Sequence, residues 1–223
     1  MTTARPSAVF WDMDGTLVDT EPYWLAAERR LISEWGGEWT EEDGLQLVGS
    51  GLENSARVFQ SRGVGLTVDE IIQTLTDQVM EQISVEVPWR PGARELLQEL
   101  HEAGVPLALV TMSIRRMAEV VIDAIGFDAF SVVVTGDEVE NSKPHPEPYL
   151  RAAMLLEVDP TDAVAIEDSA PGLASAVASG AVSIGVAAHV PLAPSPAYEL
   201  WTTLEGRGLD DLTAVWASSE RVS

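Results

Sequence analysis

The chain has no cysteine among its 223 residues. Disulfides, thiolate metal ligands and a cysteine nucleophile are therefore excluded. Lysine is almost missing as well: Lys143 is the only one among 13 cations, set against 36 acidic residues and a formal net charge of -23. That field repels nucleic acid and anionic membranes, so neither is expected as a partner, and an anionic substrate needs cations concentrated locally. No apolar run reaches membrane length; the longest weakly polar stretch, residues 174–193, is interrupted by Ser, His, Gly and Pro. The first apolar run ends after four residues at Asp12. No signal peptide is expected on that ground, and the cytoplasm is the default location. The three histidines, His101, His145 and His189, are scattered and read as solvated helix or loop residues rather than ligands.

What is present is organised around the stretch from Phe10 to Asp19. A short apolar run, Ala8 to Trp11, stops at Asp12, as a buried strand does when it delivers one charged side chain at its end. Asp14 follows, and Gly15 permits a turn tight enough for both carboxylates to face one point. Paired carboxylates at that spacing suit a divalent cation together with a proton transfer.

Beyond Asp19 the pattern turns helical. Thr20 is placed to cap, Pro22 suits a first turn, and Trp24, Ala27, Leu31 and Trp35 recur at helical spacing. A second helix is predicted over 52–62, and Thr67-x-x-Glu70 reads as the capping box of a third whose stripe is Ile71, Leu75, Val79 and Ile83. From residue 91 onward, helices alternate with short apolar runs at 105–110, 132–134, 163–166 and 182–186; an edge strand at 198–203 and a helix at 210–216 complete the pattern. Continuous apolar runs separated by helices predict an α/β fold, a parallel sheet covered on both faces. The all-helical segment is a separate unit inserted after the first strand.

In such a sheet, ligands bind at the carboxyl ends of the strands. The run ending in Asp12, the run ending before Thr111 and Ser113, and the run ending in Glu167 and Asp168 are thereby brought to one crevice. Asp12, Asp14, Glu167 and Asp168 crowd four carboxylates together, and an all-oxygen set of this kind suits magnesium. Thr111 and Ser113 at a helix start make a phosphate seat, with Ser113 reading equally as a plain N-cap. Lys143, held extended by Pro144, supplies the compact ammonium that a phosphoryl oxygen needs beside a carboxylate nucleophile.

Four segments, Phe-Trp-Asp12-Met-Asp14-Gly-Thr-Leu-Val-Asp19, Val-Thr111-Met112-Ser113, Ser-Lys143-Pro-His-Pro-Glu-Pro-Tyr and Ile-Glu167-Asp168-Ser-Ala-Pro-Gly, resemble in order and spacing the motifs of the haloacid dehalogenase superfamily. Within it they resemble the phosphatases and beta-phosphoglucomutase-like enzymes with a small helical cap. The resemblance implies a Rossmann-like core at residues 1–20 and 88–223 and a helical cap at 21–87. It implies Asp12 as nucleophile, Asp14 as acid and base, and Thr111, Met112, Ser113 and Lys143 around the phosphoryl group. It also implies Mg2+ held by Asp12, the Asp14 carbonyl, Asp168 and, directly or through water, Glu167. The expected reaction is hydrolysis of a small phosphomonoester through an aspartyl-phosphate, by a monomer or weak homodimer. A sugar phosphomutase is the alternative, although Trp24 and Leu52 stand where that type carries a histidine and an arginine. A non-catalytic phosphate-binding or phosphoreceiver protein is the alternative of another class.

Overall fold

The computed structural model describes residues 5–219; the outer ends of the expected core, 1–4 and 220–223, lie outside the described residues. Six strands form one parallel sheet: β1 (Ala8–Trp11), β2 (Leu107–Val110), β3 (Val132–Val134), β4 (Ala163–Glu167), β5 (Val182–Val186) and β6 (Tyr198–Trp201). Their order is β3-β2-β1-β4-β5-β6, so β1 lies between β2 and β4 at the point where the strand order reverses. In register, Trp11 pairs with Leu109 on one side and Ile166 on the other.

β1, β2 and β4 are buried along their whole length. Side chains alternate between two cores, because successive residues of a strand point to opposite faces. Val9 and Trp11 pack with Leu96, Leu100, Met117 and Leu212, which come from α5 (Ala93–Glu102), α6 (Arg115–Ile125) and α9 (Leu209–Ser219). Ala8 and Phe10 pack with Tyr149 and Ala152 of α7 (Glu147–Leu156) and Ala176 of α8 (Ala170–Ser179).

Between β1 and α5 lie only helices: α1 (Glu21–Glu34), α2 (Glu41–Leu45), α3 (Leu52–Ser61) and α4 (Val68–Val85). The Thr67–Glu70 capping box opens α4 as predicted. α2 is not predicted by the sequence pattern, because five residues are too few to display a period; its signature is a second capping box, Thr40 with Asp43. α1 ends one residue before Trp35, which leaves the apolar stripe, is 46 % exposed and has its ring against Gly65. The chain leaves and rejoins the sheet layer through two adjacent segments: the Asp19 amide donates to the Pro88 carbonyl (2.7 Å) and the Arg90 amide to Leu17 (3.0 Å). Among the described residues no helix is long and apolar enough to cross a membrane.

Candidate active site

The parallel register carries the ends of β1, β2 and β4 to one edge. The ladder continues past the strands, with the Asp12 amide donating to the Ile166 carbonyl (3.1 Å) and the Thr111 amide to the Val134 carbonyl (3.0 Å). Asp12, Thr111, Glu167 and Asp168 are thus all buried at the same edge. Gly15 allows the turn after β1 to lie against this edge: its φ is +84°, and a Cβ there would stand 2.0 Å from an Asp168 oxygen. The strand after which Asp168 follows runs one residue further than expected and includes Glu167.

Glu167 is tolerated inside the core because both of its oxygens are satisfied. Oε1 accepts from the Lys143 ammonium (2.6 Å) and the Tyr149 hydroxyl (2.7 Å), and Oε2 from the Asp168 amide (3.2 Å) and the Ser169 hydroxyl (3.3 Å). Lys143, 4 % exposed, donates also to Asp12 Oδ1 (2.7 Å) and the Val110 carbonyl (2.9 Å), so its three protons have three acceptors. Burial opposes its charge, but Asp12 and Glu167 outweigh burial and raise its pKa.

The cluster is short of positive charge. Carboxylate oxygens of Asp12, Glu167 and Asp168 come within 4.8 Å of one another against a single ammonium. Burial, followed by Glu167, pushes Asp12 up to about 7 despite Lys143. Burial, followed by Asp12 and Glu167, pushes Asp168 well above the usual carboxylate range. Asp12 Oδ2 is buried and has no hydrogen-bond partner. A hard divalent cation fits this donor set, since it brings the charge the cluster lacks and a ligand position the protein leaves open at Oδ2.

Asp14 is built differently. Its Oδ1 accepts from the Thr20 hydroxyl (2.6 Å) and the Trp24 indole (3.2 Å), and its Oδ2 from the hydroxyls of Ser113 (2.8 Å) and Thr111 (3.2 Å). One expectation is corrected here, and one open reading is decided. Thr20 makes no side-chain cap on α1, because its hydroxyl is turned to Asp14. Ser113 is not the N-cap of α6, a position held by Ile114. Trp24, which stands at helical spacing with Ala27 and Leu31, also reaches the site through its indole. Met112 is also at the site: it lines the cavity, and its sulfur accepts from the Lys143 amide (3.4 Å).

The edge opens into a cavity of about 90 Å³ whose floor includes Asp12, Asp14 and Asp168 and whose roof comes from the helical segment, with Glu21, Trp24 and Glu28 of α1.

The family model of the haloacid dehalogenase-like hydrolases matches residues 9–186, an interval that contains every one of these edge residues. The chain belongs to this family. The hydrolase is 33% identical over 186 residues to a bifunctional riboflavin kinase/FMN phosphatase of Arabidopsis thaliana, an alignment covering 81% of this chain and 48% of that one. It thus spans about half the length of that relative. It is 32% identical over 178 residues to a phosphorylated carbohydrates phosphatase of Thermotoga maritima, covering 78% of this chain and 81% of the other. Among solved structures it superposes on a CbbY variant from Rhodobacter sphaeroides in complex with xylulose-(1,5)bisphosphate, with a TM-score of 0.84, 28% identity and coverage of 93% and 99%.

Sequence reasoning gave no role to two residues of this hydrolase that touch the site. Tyr149 is fully buried and fixes Glu167; burial, then Glu167, raises its pKa, so it stays a hydroxyl donor. Glu28, 6 % exposed, stands in the buried face of α1 beside Ala27 and Leu31 and accepts from the Trp39 indole (2.9 Å). A charged residue inside an apolar stripe was the available signal. Burial raises the Glu28 pKa from 4.5 to about 7, partly offset by Trp39. The folded state therefore keeps a proton that the unfolded chain has released between those two values, and stability falls as pH rises through this window. Glu28→Gln keeps an acceptor for Trp39 and removes the titration. It is expected to stabilise the protein by about 2 to 3 kcal/mol at pH 8 but only about 0.4 kcal/mol at pH 4.5, as measured by urea unfolding at both values. An equal effect at the two would refute the assignment.

Proposed function

We propose that this hydrolase is a magnesium-dependent phosphatase of a small phosphorylated metabolite in the cytoplasm, acting through an aspartyl-phosphate. The observation that carries the reading is the state of Asp12: one oxygen is fixed by Lys143, and the other is buried, unpartnered and beside Asp168. In this reading Asp12 attacks phosphorus while Asp14 protonates the departing alcohol, and Asp14 then takes a proton from the water that hydrolyses the aspartyl-phosphate. Thr111, Ser113, the Met112 segment and Lys143 hold the phosphoryl group, the two hydroxyls being already aimed at Asp14. Asp12, the Asp14 carbonyl and Asp168 would hold the cation. Glu167, with both oxygens engaged, acts on it through water and serves chiefly to hold Lys143. When bound, the cation keeps Asp12 ionised and neutralises phosphoryl oxygens.

Residues 21–87 act as a cap on a core formed by 1–20 and 88–223, and the protein works as a monomer or weak homodimer. The phosphomutase alternative draws no support from the cap, because Trp24 donates to Asp14 and Leu52 brings no charge to the cavity.

The test is phosphate release from a panel of sugar and polyol phosphates, with magnesium or with chelator. Release is expected on several esters and should fall at least about 100-fold with chelator, the equivalent of losing a few kcal/mol of charge stabilisation. No release from any ester would refute the reading, and isomerisation of glucose 1-phosphate with a bisphosphate primer would then establish the mutase.

A further inference from the structure

The cavity has an electrical character that the phosphoryl machinery does not require. Among the described residues Lys143 is the only cation lining it, and that ammonium is already engaged by Asp12, Glu167 and the Val110 carbonyl. Opposite, where the leaving group of a phosphate seated at Asp12 must lie, the cap presents carboxylates. Glu21 and Glu28 are seven residues apart on α1, two turns along one face, with Trp24 between them. Neither forms an ion pair among the described residues. Glu28 is held by Trp39, and Gly44 keeps the space beside it open, a Cβ there standing 3.1 Å from Oε2. Within the same cavity Asp12, 6 % exposed, leaves Oδ2 without a partner.

We infer that Glu21 and Glu28 select a phosphomonoester whose leaving group is a neutral polyhydroxy compound, and exclude one that carries a second anion. The inference rests on the phosphatase reading above. A second carboxylate or phosphate would face two acids and, among the described residues, no available cation, an unpaired like-charge contact of the kind that discriminates against wrong ligands. Hydroxyls meet no such barrier, since each can donate to a carboxylate or accept from a protonated carboxyl. Burial, then Glu28 and Asp14, pushes Glu21 to about 8, and burial pushes Glu28 to about 7, so the barrier to a second anion is complete only above these values, where both groups are ionised, and the comparison below is made at about pH 9.

The experiment compares kcat/KM for sorbitol 6-phosphate and 6-phosphogluconate, linear esters that differ in a terminal carbinol against a carboxylate. Glucose 6-phosphate is included as a general substrate, and wild type, Glu28→Gln and the Glu21→Gln/Glu28→Gln double variant are measured. Wild type should prefer sorbitol 6-phosphate by about tenfold or more, chiefly through KM, and the double variant should bring the ratio below about threefold. Glutamine has the shape of glutamate, so a purely steric role would leave the ratio unchanged and would overturn the inference. A wild-type preference under about fivefold, or for the gluconate, overturns it while the phosphatase stands, because phosphate is still released. Release from none of the three esters overturns both. Glu28→Gln, expected to fold at least as stably as wild type, carries the same comparison should the double variant unfold.

Discussion

Asp12→Asn is expected to lower phosphate release by about 10⁴-fold or more, while the metal-free variant melts no lower than the wild type. The two halves of this result have one cause. Asp12 stands in a buried group with Glu167 and Asp168, faced by one ammonium, and its Oδ2 has no partner. A carboxylate in that position is poised for phosphorus and for a cation, and is a liability to the metal-free fold, since the cluster buries three carboxylates against one ammonium. Asparagine keeps an acceptor for Lys143, removes one of three crowded carboxyl groups and provides no oxygen able to form the acyl phosphate. Phosphate assays and thermal unfolding in chelator check the two parts. Activity within about tenfold of wild type would remove Asp12 as nucleophile; a melting temperature lower by more than about 5 °C would refute the charge argument.

The same balance explains which parts of the protein were legible in its sequence. The sheet could be read because β1, β2 and β4 are buried on both faces, so the apolar runs ending at Trp11 and Val110, and the run at Ala163 to Ile166, carry no competing signal. Asp12, Thr111 and Asp168 could be placed at one sheet edge because each ends or follows such a run with a charge or hydroxyl. Glu167 shows where this reasoning stops: it is itself part of β4, and only the arrival of Lys143 and Tyr149 from distant segments makes a carboxylate admissible there. Thr20 and Ser113 were open to a local reading as caps, because a hydroxyl near a helix start has a partner close at hand. The structure gives both to Asp14, a choice fixed by tertiary approach. Glu28 was hidden by the opposite effect, a single charge in a stripe otherwise read as packing.

Lys143 provides the second large effect and separates chemistry from charge balance. Lys143→Met keeps the aliphatic stem and removes the ammonium, leaving Asp12 and Glu167 without the donor that now stands 2.7 and 2.6 Å from them. Removing one partner of a buried charge group is expected to destabilise the protein by about 3 to 5 kcal/mol. Loss of a preorganised cation at the phosphoryl group should lower kcat/KM by about 10³-fold. Adding Glu167→Gln restores the charge difference of the wild-type cluster, since one cation and one anion have then been removed together, and Tyr149 can still donate to the amide oxygen. The double variant should therefore regain at least half of the lost stability in urea unfolding and none of the lost activity. If stability is not regained, the loss came from packing of the lysine stem and not from unpaired carboxylates. If activity returns with stability, Lys143 serves only to hold the fold together, and the phosphoryl group is stabilised by Thr111, Ser113 and the cation alone.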